Sequence, residues 1–214
     1  MFQVRARWLL VLAAVVTAWS VGLFAQNRNS PMARWWEPTN DLPNPWSGEL
    51  LSLPAGRSWG STAGVDVDTT NGTVWVIDRC GSNTCVGSDL DPILQYDADG
   101  TLLQSFGSEM FAFPHGINVD LEGNVWVTDP LPVDGRGAGG EVGQQVTKFN
   151  SNGEILMEIG RRKVTGRGTN TFSAPSDVVV GRNGDIFVAD GHAEGTNERI
   201  EKFDRNGTYI MEWG

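Results

Sequence analysis

The chain has 214 residues and a mass of 23.2 kDa, enough for one substantial domain or two small ones. With 40% hydrophobic and 20% charged residues it has the composition of a folding chain and not of a disordered one. The formal net charge of −10 argues against a nucleic-acid partner, which needs a basic footprint to neutralise phosphates.

Residues 1–25 open with Arg5 and Arg7 and continue in an apolar run from Trp8 to Ala25. A cationic start before a greasy core is the layout of a secretory signal, with small residues at a cut after Ser20 or Ala25. The run also reaches the ~18 residues at which a membrane anchor becomes feasible. On either reading the body of the protein is exported: secreted, periplasmic or anchored outside the cytoplasm. Residues 26–60 follow with Pro31, Pro38, Pro43, Pro45 and Pro54 interleaved with Trp35, Trp36, Trp46 and Trp59. Such a stretch is expected to be an irregular linker that wraps the domain or ties it to a membrane.

From residue 61 the chain repeats itself. The first unit reads GVDVDTTNGTVWVID and then ILQYDADGTLLQSFG; the second reads GINVDLEGNVWVTD and then QVTKFNSNGEILMEIG; the third reads DVVVGRNGDIFVAD and then RIEKFDRNGTYIMEWG. Each unit holds four short β-prone runs, paired through Asn-Gly, Glu-Gly or Asp-Gly turns of the hairpin type. The second run of each unit is apolar at consecutive positions, as in Val74, Trp75, Val76 and Ile77, which predicts a strand buried on both faces. Four antiparallel strands repeated about every 50 residues predict the blades of a β-propeller, so 61–214 is expected to be all-β with about three four-stranded blades. Closed propellers have about 4 to 8 blades. The 214-residue chain is therefore expected to be part of a longer propeller, or else to pair three-blade units.

Three features stand out along these units. Cys80 and Cys85, in DRCGSNTCVG, are the chain's two cysteines, and in an oxidising compartment they are expected to form a local disulfide. Without a nearby histidine or a second pair they make a poor zinc site. His115, in FPHGINVD, stands behind a proline at a strand entry, either as a ligand or as a hydrogen-bonded structural residue. Asp78, Asp129 and Asp190 end equivalent strands and are expected to accept backbone hydrogen bonds.

The strand pattern, with unit endings FGSEM, IGRRK and WG, resembles the NHL-repeat β-propellers. Within them MFAFPHGINVDLEGNVWVTD, FSAPSDVVVGRNGDIFVADG and RIEKFDRNGTYIMEWG resemble the peptidyl-α-hydroxyglycine α-amidating lyases, across roughly the first half of a six-bladed propeller. The resemblance implies a zinc ion held by three Pro-His motifs, with His115 matching the first. It also implies Arg79 as a charge partner for a small-molecule or peptide substrate, and a calcium on the backbone carbonyls of Val65 and Ile117. The family's catalytic tyrosine falls on His192, in ADGHAEG, where an imidazole could serve as acid, base or ligand. The second unit's Pro-His corresponds to Pro175-Ser176 in the third, so the isolated chain is expected to be inactive. Two functions stand against each other: an exported zinc-dependent lyase that yields peptide amide and glyoxylate, and a non-catalytic propeller whose face binds protein, peptide or carbohydrate.

Overall fold

Four of the six tight hairpins are closed by one recurring piece of local chemistry. An Asp or Asn three places ahead of a glycine turns its side-chain oxygen onto the N–H groups of the turn. Asp97 accepts from Asp99 and Thr101, and Asp120 from Glu122 and Asn124. Asn150 accepts from Asn152 and Glu154, and Asp204 from Asn206 and Thr208. Gly153 shows why glycine follows: its φ is +83°, and a Cβ there would lie 2.6 Å from the Phe106 ring.

The computed structural model describes residues 51–131, 142–192 and 194–214. The expected export segment 1–25 and residues 26–50 of the linker lie outside the described residues. Twelve strands form three sheets of four. The first blade is β1 (Thr62–Val67), β2 (Val74–Asp78), β3 (Ile93–Tyr96) and β4 (Leu102–Phe106). The second is β5 (Ile117–Val119), β6 (Val125–Asp129), β7 (Gln145–Phe149) and β8 (Ile155–Gly160). The third is β9 (Pro175–Val180), β10 (Ile186–Asp190), β11 (Arg199–Phe203) and β12 (Tyr209–Trp213). Within each sheet the strands lie in chain order and every neighbouring pair is antiparallel. Among the described residues no helix is long and apolar enough to cross a membrane.

Stacking of the blades makes the core. Trp75, Ile77 and Ile93 of the first blade meet Ile117, Val125, Val127 and Phe149 of the second. Trp126, Val146 and Ile159 of the second meet Val178, Ile186, Val188 and Phe203 of the third. Burying side chains of this size stabilises the fold by about 1.5–3 kcal/mol each. The far side of the first blade is covered from residues 51–60. Leu51 and Leu53 pack on Val76, Leu94 and Tyr96, while Arg57 pairs with Asp78 at 2.7 Å.

One expectation needs correcting. β2 and β6 are buried on both faces, but β10 alternates, with Phe187 and Ala189 only half-buried. Register explains it. Phe187 shares its face with Val179 and, through Lys202, with Met211, and these two are 52% and 49% exposed. No blade among the described residues lies over that face.

Candidate functional site

The site is built where the inner strands β1, β5 and β9 converge. Gly116 marks how tight that approach is: a Cβ on it would stand 2.7 Å from the Cα of Asp177 in β9. Entry into each inner strand is stapled by the aspartate that ends the second strand. Asp78 accepts from the Gly60 N–H, Asp129 from the Ala112 and Phe113 N–H groups, and Asp190 from the Ser173 N–H. All three carboxylates are buried. Burial lifts Asp129 to about 7, against the pull of the backbone N–H groups it accepts and of Arg79.

The Asp129 staple presents Phe113, Pro114 and His115 at the head of the second blade. His115 is fixed further by its own N–H, which donates to the Thr128 carbonyl, and by its ring Nδ1, 2.9 Å from the Ser176 carbonyl. A carbonyl only accepts, so the ring proton sits on Nδ1 and Nε2 keeps its lone pair. Burial lowers the His115 pKa, His192 and Arg79 add to the fall, and the Ser176 bond opposes it. The His192 ring meets His115 edge to face, with centroids 4.4 Å apart at 68°. These are the chain's two histidines, from different blades, and both line an open cleft of about 510 Å³ with Asp66, Asn118 and Asp177.

Arg79 continues directly from β2 and is buried on the same side. Its guanidinium lies 3.3 Å over the centroid of the Phe113 ring. Its Nε donates to the Pro114 carbonyl at 3.0 Å and its Nη1 to Asn83 Oδ1 at 2.9 Å. Nη2 has no hydrogen-bond partner among the described residues. Burial lowers the Arg79 pKa to about 10, with Asp129 acting in the opposite direction, and at neutral pH the group stays charged.

The expected disulfide is present between Cys80 and Cys85. It brackets Asn83, the Arg79 partner, and the same loop is tied to the His115 approach. Thr84 Oγ1 and the Cys85 N–H both donate to the Ala112 carbonyl at 2.9 Å. Asn83, Phe113 and Ser176 are thus site residues that the sequence reading missed. The signal for each was present: Asn83 inside the cysteine bracket, Phe113 inside FPHG, and Ser176 at the position in the third unit that matches His115.

Two cations implied by the resemblance can be set against these donors. For zinc, the anchored Nδ1 of His115 is the arrangement that orients an imidazole ligand. A catalytic zinc takes about three protein ligands. Among the described residues, no group of three or more His, Cys, Asp or Glu side chains is gathered for a metal. For calcium, the Val119 N–H is directed off the sheet to Asp66 Oδ2, and the Val67 N–H to Asp66 Oδ1. Antiparallel alternation then puts the carbonyls of Ile117 and Val65, two residues back, on the same unladdered inner edges, where a hard cation could use them. Burial raises Asp177 in this cleft; the Val178 N–H opposes the rise and Asp66 adds to it.

Three stacked, four-stranded antiparallel blades with their inner strands around an axial cleft define an NHL-type β-propeller. The chain is 32% identical to a probable peptidyl-alpha-hydroxyglycine alpha-amidating lyase of Caenorhabditis elegans, over 74% of its own length and 38% of that protein's. It is 37% identical to amidating lyase 1 of Drosophila melanogaster over 55% of this chain and 19% of that one. It is 30% identical to mouse NHL repeat-containing protein 3, over 72% of this chain and 41% of that one. A virginiamycin B lyase from Staphylococcus aureus aligns in structure with a TM-score of 0.45 at 21% identity, covering 71% of this chain and 40% of that one. No family model matches the sequence. The chain belongs to the NHL-repeat β-propeller family and resembles its amidating-lyase members. It spans 19% to 41% of the length of these curated relatives.

Proposed function

We propose that these blades carry the axial face of an exported lyase that cleaves peptidyl-α-hydroxyglycine to a peptide amide and glyoxylate. The observation that carries the reading is the placing of Arg79, clamped through Nε, Nη1 and its face but open at Nη2, beside His115. The names of the Caenorhabditis and Drosophila relatives support the substrate class. In a ring of six such blades, His115 is one of the zinc ligands, and the carbonyls of Val65 and Ile117 take a calcium.

The substrate ends in a carboxylate next to the carbon that bears the hydroxyl. Arg79 binds that carboxylate, and the rigidity of its hold fixes the hydroxyl towards His115. A zinc ion, when bound, eases loss of the hydroxyl proton near neutral pH. Overall the O–H and C–N bonds break, the aldehyde of glyoxylate forms, and the proton leaves with the amide nitrogen.

The test is glyoxylate release from N-benzoyl-α-hydroxyglycine by the native protein. Release should be lost with a chelator and in His115→Ala. Arg79→Lys keeps the charge but loses the fork, so KM should rise about 10–100-fold, the scale of one to two charged hydrogen bonds. Native protein with bound zinc and no glyoxylate release overturns the reading.

A further inference from the structure

We infer that His192 is a second imidazole donor, beside His115, to a divalent transition-metal cation bound on the axial face. The inference rests on the proposed site but concerns a residue for which the amidating-lyase resemblance supplies no metal role.

Geometry points first. His115 and His192 stand on different blades, yet their rings meet at 4.4 Å and 68°. Two imidazoles sharing one tetrahedral ion at ordinary nitrogen–metal distances have centroids roughly 5 Å apart, so this pair would separate by about 1 Å to close on a cation. Ser176 supplies the second observation, because it governs both rings. Its carbonyl holds His115 Nδ1, while its hydroxyl donates to the carbonyls of Ala189 and Gly191, each at 3.3 Å. Gly191 directly precedes His192, so one residue sets the tautomer of one ring and the backbone entry of the other. An outer partner that orients a ligand in this way is a common feature of metal sites.

Access and electrostatics agree. His192 is exposed, and the cleft it shares with His115 is also lined by the Asp66 and Asp177 side chains, which favour a cation over an anion. Imidazole donors select zinc, cobalt, nickel or copper and are poor ligands for magnesium or calcium.

The experiment is a calorimetric titration of the native protein with Zn²⁺, repeated with Co²⁺ and its visible absorption. One equivalent should bind. His115→Ala and His192→Ala should each weaken it by at least about tenfold, the lower end of what disturbing even an outer-shell partner costs. His192→Gln keeps a polar side chain on the loop and should lose affinity equally. Circular dichroism of both His192 variants should match the native spectrum, since the His192 ring is exposed. Undiminished Zn²⁺ affinity in both His192 variants overturns the inference, as does the absence of any Zn²⁺ binding. Loss of glyoxylate release with undiminished Zn²⁺ affinity in His192→Ala makes the residue a proton carrier and also overturns it, leaving the lyase reading intact. Zinc held through both rings without glyoxylate release supports the inference and removes the lyase reading instead.

Discussion

Glu201 has no exposed surface, and neither carboxylate oxygen has a hydrogen-bond partner. Its nearest cation, Arg199, stands 3.1 Å away but is shared with Asp190 and Glu212. Burial raises the Glu201 pKa to about 8; Arg199 pulls it down, and Asp190 and Glu212 push it up again. The folded state therefore holds a proton that the unfolded chain releases at an ordinary carboxylate pKa. The sign follows. The contribution to stability is complete below the unfolded pKa and is lost as pH rises towards about 8. Asp129, raised to about 7, acts in the same direction. The Tm is expected to fall between mildly acidic pH and pH above 8, and Glu201→Gln should flatten that slope and raise Tm at the alkaline end. Each ~1 kcal/mol is worth about 2–4 °C for a domain of this size, within reach of a calorimetric pH series. Nothing in RIEKF announces this. The run alternates, and a polar set on a strand ordinarily faces water, whereas here Arg199 and Glu201 turn inward and Ile200 turns outward. Which face is covered depends on the neighbouring blade, and local sequence does not carry that information.

At the scale of elements, the hairpins were legible because their signals are local: a turn glycine, in four of six hairpins three places after an Asx residue, and β-prone runs either side. All twelve strands fall on those runs. The site was legible only in part, because its positioning contacts are long-range. The Arg79 bond to Pro114 crosses 35 residues and the His115 bond to Ser176 crosses 61. The Cys80–Cys85 loop shows how a local feature reaches the site. It brackets Asn83, which orients Arg79, and is hydrogen-bonded to Ala112 on the approach to His115. Replacing both cysteines by serine should cost about 2 kcal/mol on the chain-entropy scale for so short a loop. Chemical denaturation would measure that loss. Asn83→Ala leaves the disulfide intact, so its denaturation midpoint should move much less. A double serine variant as stable as the native chain would show that the loop is held by its hydrogen bonds alone.

For the molecule as a whole, stability lies between blades more than within them, and the repeat provides an internal control. Trp75, Trp126 and Phe187 occupy the same position in β2, β6 and β10, each directed away from the preceding blade. The first two are buried at 0% and 2% exposure by the blade that follows, and the third is half-buried among exposed Val179, Met211 and Trp213. The same register position thus samples a covered and an uncovered face within one chain. Trp126→Ala should destabilise the 214-residue chain by about 3–5 kcal/mol, the cost of emptying a packed aromatic site. Phe187→Ala leaves little cavity and should cost roughly 1 kcal/mol, nearer the ordinary loss for a partly exposed residue. Urea midpoints of the two variants give the comparison directly. If the Phe187 variant instead lost as much as the Trp126 variant, the third blade's outer face would be covered in solution, and the half-burial of β10 would not describe the protein there.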